Sequence, residues 1–105
     1  MAAIVLGATA DVPAGAGKTF MVENHPIAVF QVEGRFYALD DTCSHADASL
    51  GVGEVDSDEL CVECPLHGSL FDLATGTPRT LPAFAPVKTY KVWVEHDQLF
   101  VEYPD

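Results

Sequence analysis

The stretch Ile27-Ala28-Val29-Phe30-Gln31-Val32-Glu33-Gly34-Arg35-Phe36-Tyr37-Ala38-Leu39 decides the fold class of this chain. Residues 27–32 are rich in β-branched and apolar side chains, Glu33-Gly34 is a turn signal, and Phe36 and Tyr37 suit a second pleated segment. A hairpin with strands over 27–32 and 35–39 is therefore expected. Working outward, residues 18–23 read as a strand joined to this hairpin by a turn at Asn24-His25-Pro26. Short strands follow over 60–63 and 70–73, with Ala74-Thr75-Gly76 turning the chain back. Residues 87–95 alternate, placing Tyr90, Val92 and Val94 on one face and Lys91, Trp93 and Glu95 on the other. His96-Asp97-Gln98 is a turn, and 99–103 pairs back as a last strand. Helix signals are nearly absent. The prediction is an all-β domain of antiparallel sheets, sandwich or barrel-like.

At 105 residues, positions 1–105 are expected to form one domain. Its 49% apolar content suffices for a packed core and excludes disorder as an account of the whole. Sixteen acidic residues against 5 basic give a formal net charge of −11, which excludes nucleic acid as a partner. The same charge disfavours an anionic membrane and favours encounter with positively charged protein surfaces. Residues 1–10 hold an apolar run without a basic flank, and nothing approaches ~18 apolar residues. A soluble, cytoplasmic monomer is expected. Three cysteines, an odd count, fit a reducing compartment better than a disulfide framework.

Two short clusters carry the chemistry: Cys43-Ser44-His45 and Cys64-Pro65-Leu66-His67, separated by 18 residues. Both fall in loop-like stretches, 41–50 and 64–69, at strand ends, with a polar connection over 51–59 between them. Residues 40–80 are thus expected to form a small binding subdomain of two loops. Two thiolates and two imidazoles fit an iron–sulfur cluster in which Cys43 and Cys64 hold one iron and His45 and His67 the other. Neutral imidazoles in place of two thiolates make such a centre less negative and easier to reduce. The alternative is a structural zinc in an interaction module, although Cys-x-His spacing is uncommon in zinc sites. Visible colour separates the two.

Other residues have plainer roles. Cys61 and Cys64 make a lone Cys-x-x-Cys, and without a second such pair Cys61 is expected to be a buried core thiol. His25 and His96 are expected to be solvated in turns, and Trp93 to pack in or against the core. Gly68 supplies a conformation that only glycine adopts easily, and Pro65 stiffens its loop. The Pro-punctuated stretch 81–86 is expected to be extended and to approach the second loop. No nucleophile–base pair or glycine-rich nucleotide loop is present, so the chain is expected to transform no substrate itself.

Cys43-x-His45 with Cys64-x-x-His67-Gly68, together with Leu39-Asp40-Asp41-Thr42, Leu50, Phe71-Asp72 and Thr75-Gly76, resembles the Rieske family, in particular its soluble ferredoxins. The resemblance covers nearly the whole chain. It implies a [2Fe–2S] cluster, with the cysteines on the inner iron and the histidines on the outer. Ala48 and Leu66 stand where the high-potential branch places a loop-linking disulfide, so the resemblance points to the branch that feeds bacterial aromatic-ring dioxygenases. Ser69 stands where high-potential members have a serine that donates to cluster sulfide, and Phe71 where they have a tyrosine. With Asp40, Asp41, Asp47 and Asp72 nearby in sequence, a potential at the low end of the Rieske range is expected, roughly −150 to 0 mV. Ligand imidazoles imply a potential that falls with rising pH. The implied role is a one-electron shuttle from a flavin-containing ferredoxin reductase to a terminal oxygenase. The resemblance also extends to the small subunit of assimilatory nitrite reductases, many of which lack some of these ligands.

Overall fold

Three hairpins of this chain turn on the same two-residue device. Glu23–Asn24, Glu33–Gly34 and His96–Asp97 all have positive φ at both positions (50° and 67°, 51° and 79°, 51° and 62°). That is the signature of the turn whose twist matches paired strands. The computed structural model describes residues 2–44, 47–66, 68–81, 83 and 85–104. Among the described residues ten strands run β1 (Ala2–Ala8), β2 (Ala16–Val22), β3 (His25–Val32), β4 (Arg35–Asp40), β5 (Val55–Asp56), β6 (Cys61–Glu63), β7 (Leu70–Asp72), β8 (Thr89–Tyr90), β9 (Val92–Glu95) and β10 (Gln98–Tyr103). They form three antiparallel sheets: β2-β3-β4-β8 at the centre, β1-β10-β9 outside it, and the small β5-β6-β7.

The central sheet is apolar on both faces, and this organises the molecule. Ile27, Ala28, Val29 and Phe30 are all fully buried. Because strand side chains alternate, Ile27 and Val29 enter one core with Val22, Ala38, Tyr90, Leu99 and Val101. Ala28 and Phe30 enter the other with Leu39, Leu50, Val62, Phe71, Leu73 and Val87. The first core is roofed by the outer sheet. The second lies under the small sheet and contains Cys43 and Cys64.

The expected all-β architecture holds, with local corrections. The first turn is Glu23–Asn24, and His25 and Pro26 belong to β3. Pro26 precedes the first β3–β4 pair, Ile27 with Asp40, and contributes its carbonyl, which accepts the Asp41 N–H at 3.2 Å. Residues 87–95 are not one strand. β8 pairs with β4, the chain steps across at Lys91, and β9 pairs with β10. Val94 is 44% exposed, so it does not share the buried environment of Tyr90. The 51–59 connection is partly ordered: a 3-10 turn over Leu50–Val52 and strand β5, which pairs with β6. Leu60 has φ 53°, unusual for leucine, so the strand begins one residue later at Cys61. No described helix is long and apolar enough to cross a membrane.

Candidate metal centre

Cys43 and Cys64 each sit at the neck of a loop, and the two loops are closed in the same way. The Cys43 N–H donates to the Ala48 carbonyl at 2.9 Å, and the Cys64 N–H donates to the Ser69 carbonyl at 2.8 Å. Both bonds span five residues and leave a short tip beyond the neck. His45 and His67 are in those tips, outside the described residues. The second tip is tightened by the Gly68 N–H donating to the Cys64 carbonyl at 2.9 Å. Gly68 has φ +78°, which a side chain there would oppose.

The first loop is anchored by a residue whose role is not apparent from the motif. Asp41 is buried, and its Oδ1 accepts three hydrogen bonds: Thr19 Oγ1 at 2.8 Å, Ser49 Oγ at 2.8 Å and the Gly51 N–H at 2.9 Å. The Leu50 N–H donates to its carbonyl at 2.7 Å, and Thr42 bridges Ser49. A Cβ on Gly51 would fall on Thr19 Oγ1 and 2.8 Å from Asp41 Oδ1, so glycine is required for this approach. A buried carboxylate with three donors fixes loop geometry at low cost, because each donor compensates its lost hydration.

The second loop is anchored through the small sheet. β6 enters it and β7 leaves it, paired Glu63 with Leu70. Asp72 at the end of β7 accepts Arg79 Nη2 at 2.6 Å and the amides of Ala74 and Thr75 at 2.8 and 3.0 Å. Burial pushes its carboxyl pKa up, but the Arg79 hydrogen bond and the two amides outweigh this and hold it below the ordinary range. Asp72 in turn raises the pKa of Arg79, and Arg79 also reaches Glu59 at 3.7 Å. Ser69 is fully buried, and its Oγ accepts the Ala83 N–H at 3.0 Å. Phe71 is fully buried in the cysteine-bearing core.

Among the remaining candidates, Cys61 is a buried free thiol on β6, as expected. Burial pushes its pKa up, Arg79 opposes this, and Asp56, Glu59 and Asp72 add to the rise. His96 is exposed in its turn. Trp93 is half-buried, stacked on Phe100 with centroids 6.0 Å apart. His25 departs from expectation. Its Nε2 lies 2.7 Å from Asp40 Oδ1 and 3.1 Å from the Tyr90 hydroxyl, and that hydroxyl donates to Asp40 at 2.6 Å. His25 is the first residue of β3, directly after the Glu23–Asn24 turn. Asp40 and Asp41 thus anchor the start of the first loop through their hydrogen bonds.

These two loops match a known pattern. Residues 2–91 fit the family model of the Rieske [2Fe-2S] domain. The chain belongs to that family. The Rieske domain described here is 44% identical over 97 residues to the 3-phenylpropionate/cinnamic acid dioxygenase ferredoxin subunit of Shigella flexneri serotype 5b (strain 8401), covering 91% of this chain and 89% of that protein. It superposes on the ferredoxin of carbazole 1,9a-dioxygenase from Nocardioides aromaticivorans IC177 with TM-score 0.91 and 32% identity, covering 96% of this chain and 97% of the other. It also matches a chain in the complex of reduced oxygenase and oxidized ferredoxin in carbazole 1,9a-dioxygenase, with TM-score 0.84 and 35% identity, covering 94% and 91% of the two chains. An iron–sulfur centre fits what this Rieske domain offers. The Cys43 and Cys64 thiols, on separate loops, share one buried cluster with Leu50, Val62 and Phe71, an apolar surrounding of the kind that limits solvent access to such a centre.

Proposed function

We propose that this Rieske domain is the one-electron ferredoxin component of an aromatic-ring-hydroxylating dioxygenase system. In this reading it takes electrons from a flavin-containing reductase and delivers them to the Rieske centre of a terminal oxygenase. The observation that carries it is the 44% identity to a dioxygenase ferredoxin subunit over 91% of the chain, together with two cysteine loops sharing one core. Cys43 and Cys64 would hold the inner iron, and His45 and His67 the outer one. Bound there, a [2Fe–2S] cluster supplies a single-electron valence change. Residues 1–105 act as one ferredoxin domain, with 40–80 as its binding subdomain, and the protein works as a cytoplasmic monomer.

The chain's own residues have definable tasks in this role. Asp41 fixes the first loop neck and the Cys64–Ser69 backbone bond closes the second, so little protein rearrangement accompanies a change of charge at the centre. Leu66, 58% exposed at the second tip, offers an apolar contact beside His67. The net charge of −11 draws the domain to cationic partner surfaces.

The test is the visible and electron-spin spectrum of purified protein before and after dithionite, with iron and acid-labile sulfide assays. Two irons and two sulfides per chain are expected, with partial bleaching on reduction. The reduced protein should then be reoxidised in stopped flow by the terminal oxygenase of a 3-phenylpropionate dioxygenase. Colourless protein holding one zinc would overturn the proposal.

A further inference from the structure

The outer sheet has two unlike faces. Leu99 and Val101 of β10 are fully buried towards the central sheet, with Ile4, Leu6 and Val92 packed beside them. Side chains alternate along a strand, so Val5, Phe100 and Trp93 stand on the opposite face. The register sets these three side by side: Val5 pairs with Phe100, and Phe100 with Trp93. Val5 is 52% exposed, and Phe100 and Trp93 stay half-buried although they stack on one another. An apolar row thus crosses all three strands and remains accessible to solvent.

Polar residues frame the row in an ordered way. Lys91 lies on one side, its Nζ 5.8 Å from the centre of the Trp93 ring. Glu95 lies on the other, its Oε2 accepting the Trp93 indole N–H at 2.9 Å. On β10, Glu102 is level with Lys91, and Gln98 with Glu95. On β1, the small residues Ala3 and Ala8 stand beside Glu102 and Gln98. Trp93 is already held by its neighbours, so covering this face costs little further side-chain order.

This pattern is complementary to itself under one rotation and not under another. A two-fold axis along the Val5–Phe100–Trp93 row lays a second copy with Phe100 on Phe100, Lys91 opposite Glu95 twice, and Glu102 opposite Gln98 twice. A two-fold axis along β10 sets Glu102 against Glu102, two like charges face to face. We propose that two copies of the chain pair reversibly through this face, about the axis along the row, in exchange with the monomer that works as the carrier. Three strands about 4.8 Å apart and at most seven residues long present a face of about 15 Å by about 20 Å. That is well below the roughly 800 Å² per partner of a stable interface, so the pair forms only where the chain is concentrated. The formal charge of −11 on each copy opposes pairing at long range, and salt at about 0.15 M screens that repulsion beyond roughly 8 Å. The paired face and the cysteine-bearing core lie on opposite sides of the central sheet, and the proposal does not depend on which residues hold metal.

The experiment is analytical ultracentrifugation of the holoprotein from about 10 μM to about 1 mM at fixed ionic strength, alongside the emission maximum of Trp93, the single tryptophan. The average mass is expected to climb towards twice the chain mass as concentration rises, with a blue shift of the emission over the same range. Val5→Glu, at an exposed position that the fold does not need, should stay monomeric throughout with unshifted emission. Lys91→Glu and Glu95→Lys should each weaken pairing about tenfold, since each sets like charges opposite one another twice per pair. The double variant, with the charges exchanged and the net charge of wild type, should recover to within about threefold. Glu95→Lys carries the sharpest contrast: it lowers the net negative charge, so a merely global repulsion would make it pair more tightly. Tighter pairing in Glu95→Lys, no recovery in the double variant, or undiminished pairing in Val5→Glu overturns the proposal. A monomer mass up to about 1 mM in wild type also overturns it, and would leave the row to a different protein.

Discussion

The two faces of the central sheet are built by different means. The face under the outer sheet is packed with hydrocarbon: Val12, Val22, Ile27, Val29, Leu99 and Val101, each nearly or fully buried. The face under the small sheet also has its apolar contacts, but beside them are the two buried polar residues of the described chain, Asp41 and Ser69. Area burial is non-directional and holds sheets together without aiming anything. Hydrogen bonds to a buried carboxylate and a buried hydroxyl are directional, and they stand beside the loop necks that begin at Cys43 and Cys64. Both cores bury apolar side chains, and the loop-facing one also holds a buried carboxylate and a buried hydroxyl.

Substitutions on the two faces should therefore fail differently. Cys64→Ala on the loop face is expected to abolish the visible absorbance and the iron content entirely. Leu99→Ala on the opposite face is expected to cost about 2–5 kcal/mol in urea unfolding while the folded protein keeps its full iron per chain. Equal loss of iron in both variants, measured at matched folded fraction, would erase the distinction.

Asp41→Ala separates anchoring from packing more finely. It leaves Thr19, Ser49 and the Gly51 N–H without their shared acceptor, at an expected cost of about 1–3 kcal/mol. Hydrogen exchange should rise in peptides over 41–51 and stay near wild type in β9 and β10. A uniform rise across both regions would show that the carboxylate supports the whole fold rather than one loop.

The smallest effect belongs to Asp72. With its carboxyl held below the ordinary range in the folded state, its contribution is present above the unfolded value, about pH 4, and is lost as pH falls through the lowered folded value. Asp72→Asn should flatten the acid limb of the stability profile below about pH 4 and cost under about 1 kcal/mol at pH 7, the Arg79 pair being partly exposed. An acid limb unchanged from wild type would assign that sensitivity to other carboxylates.

The strands and the ligand motif were legible because their signals are local. Glu33-Gly34 declares its turn through glycine, and Cys-x-His with Cys-x-x-His declares a binding pattern within a few positions. Glu23–Asn24 was misplaced because Pro26, a stronger turn signal, drew the boundary toward itself, although the start of a strand tolerates proline. The break at Lys91 was invisible because alternation specifies a strand but not its partner. The anchors were beyond reach for the same reason. Thr19 meets Asp41 across 22 positions and Ser44 meets Ala85 across 41, and nothing in either neighbourhood announces the other.

Lys91 carries one more implication. Within three residues the backbone leaves Tyr90, paired with Ala38, and enters Val92, paired with Val101, while the Lys91 carbonyl itself accepts the Glu102 N–H at 3.0 Å. At this point a single amino acid joins the outer layer to the middle one, whereas the other link, from β1 to β2, runs over residues 9–15. The outer layer cannot lift away intact without tugging on β8, which pairs with the strand that precedes the first cysteine.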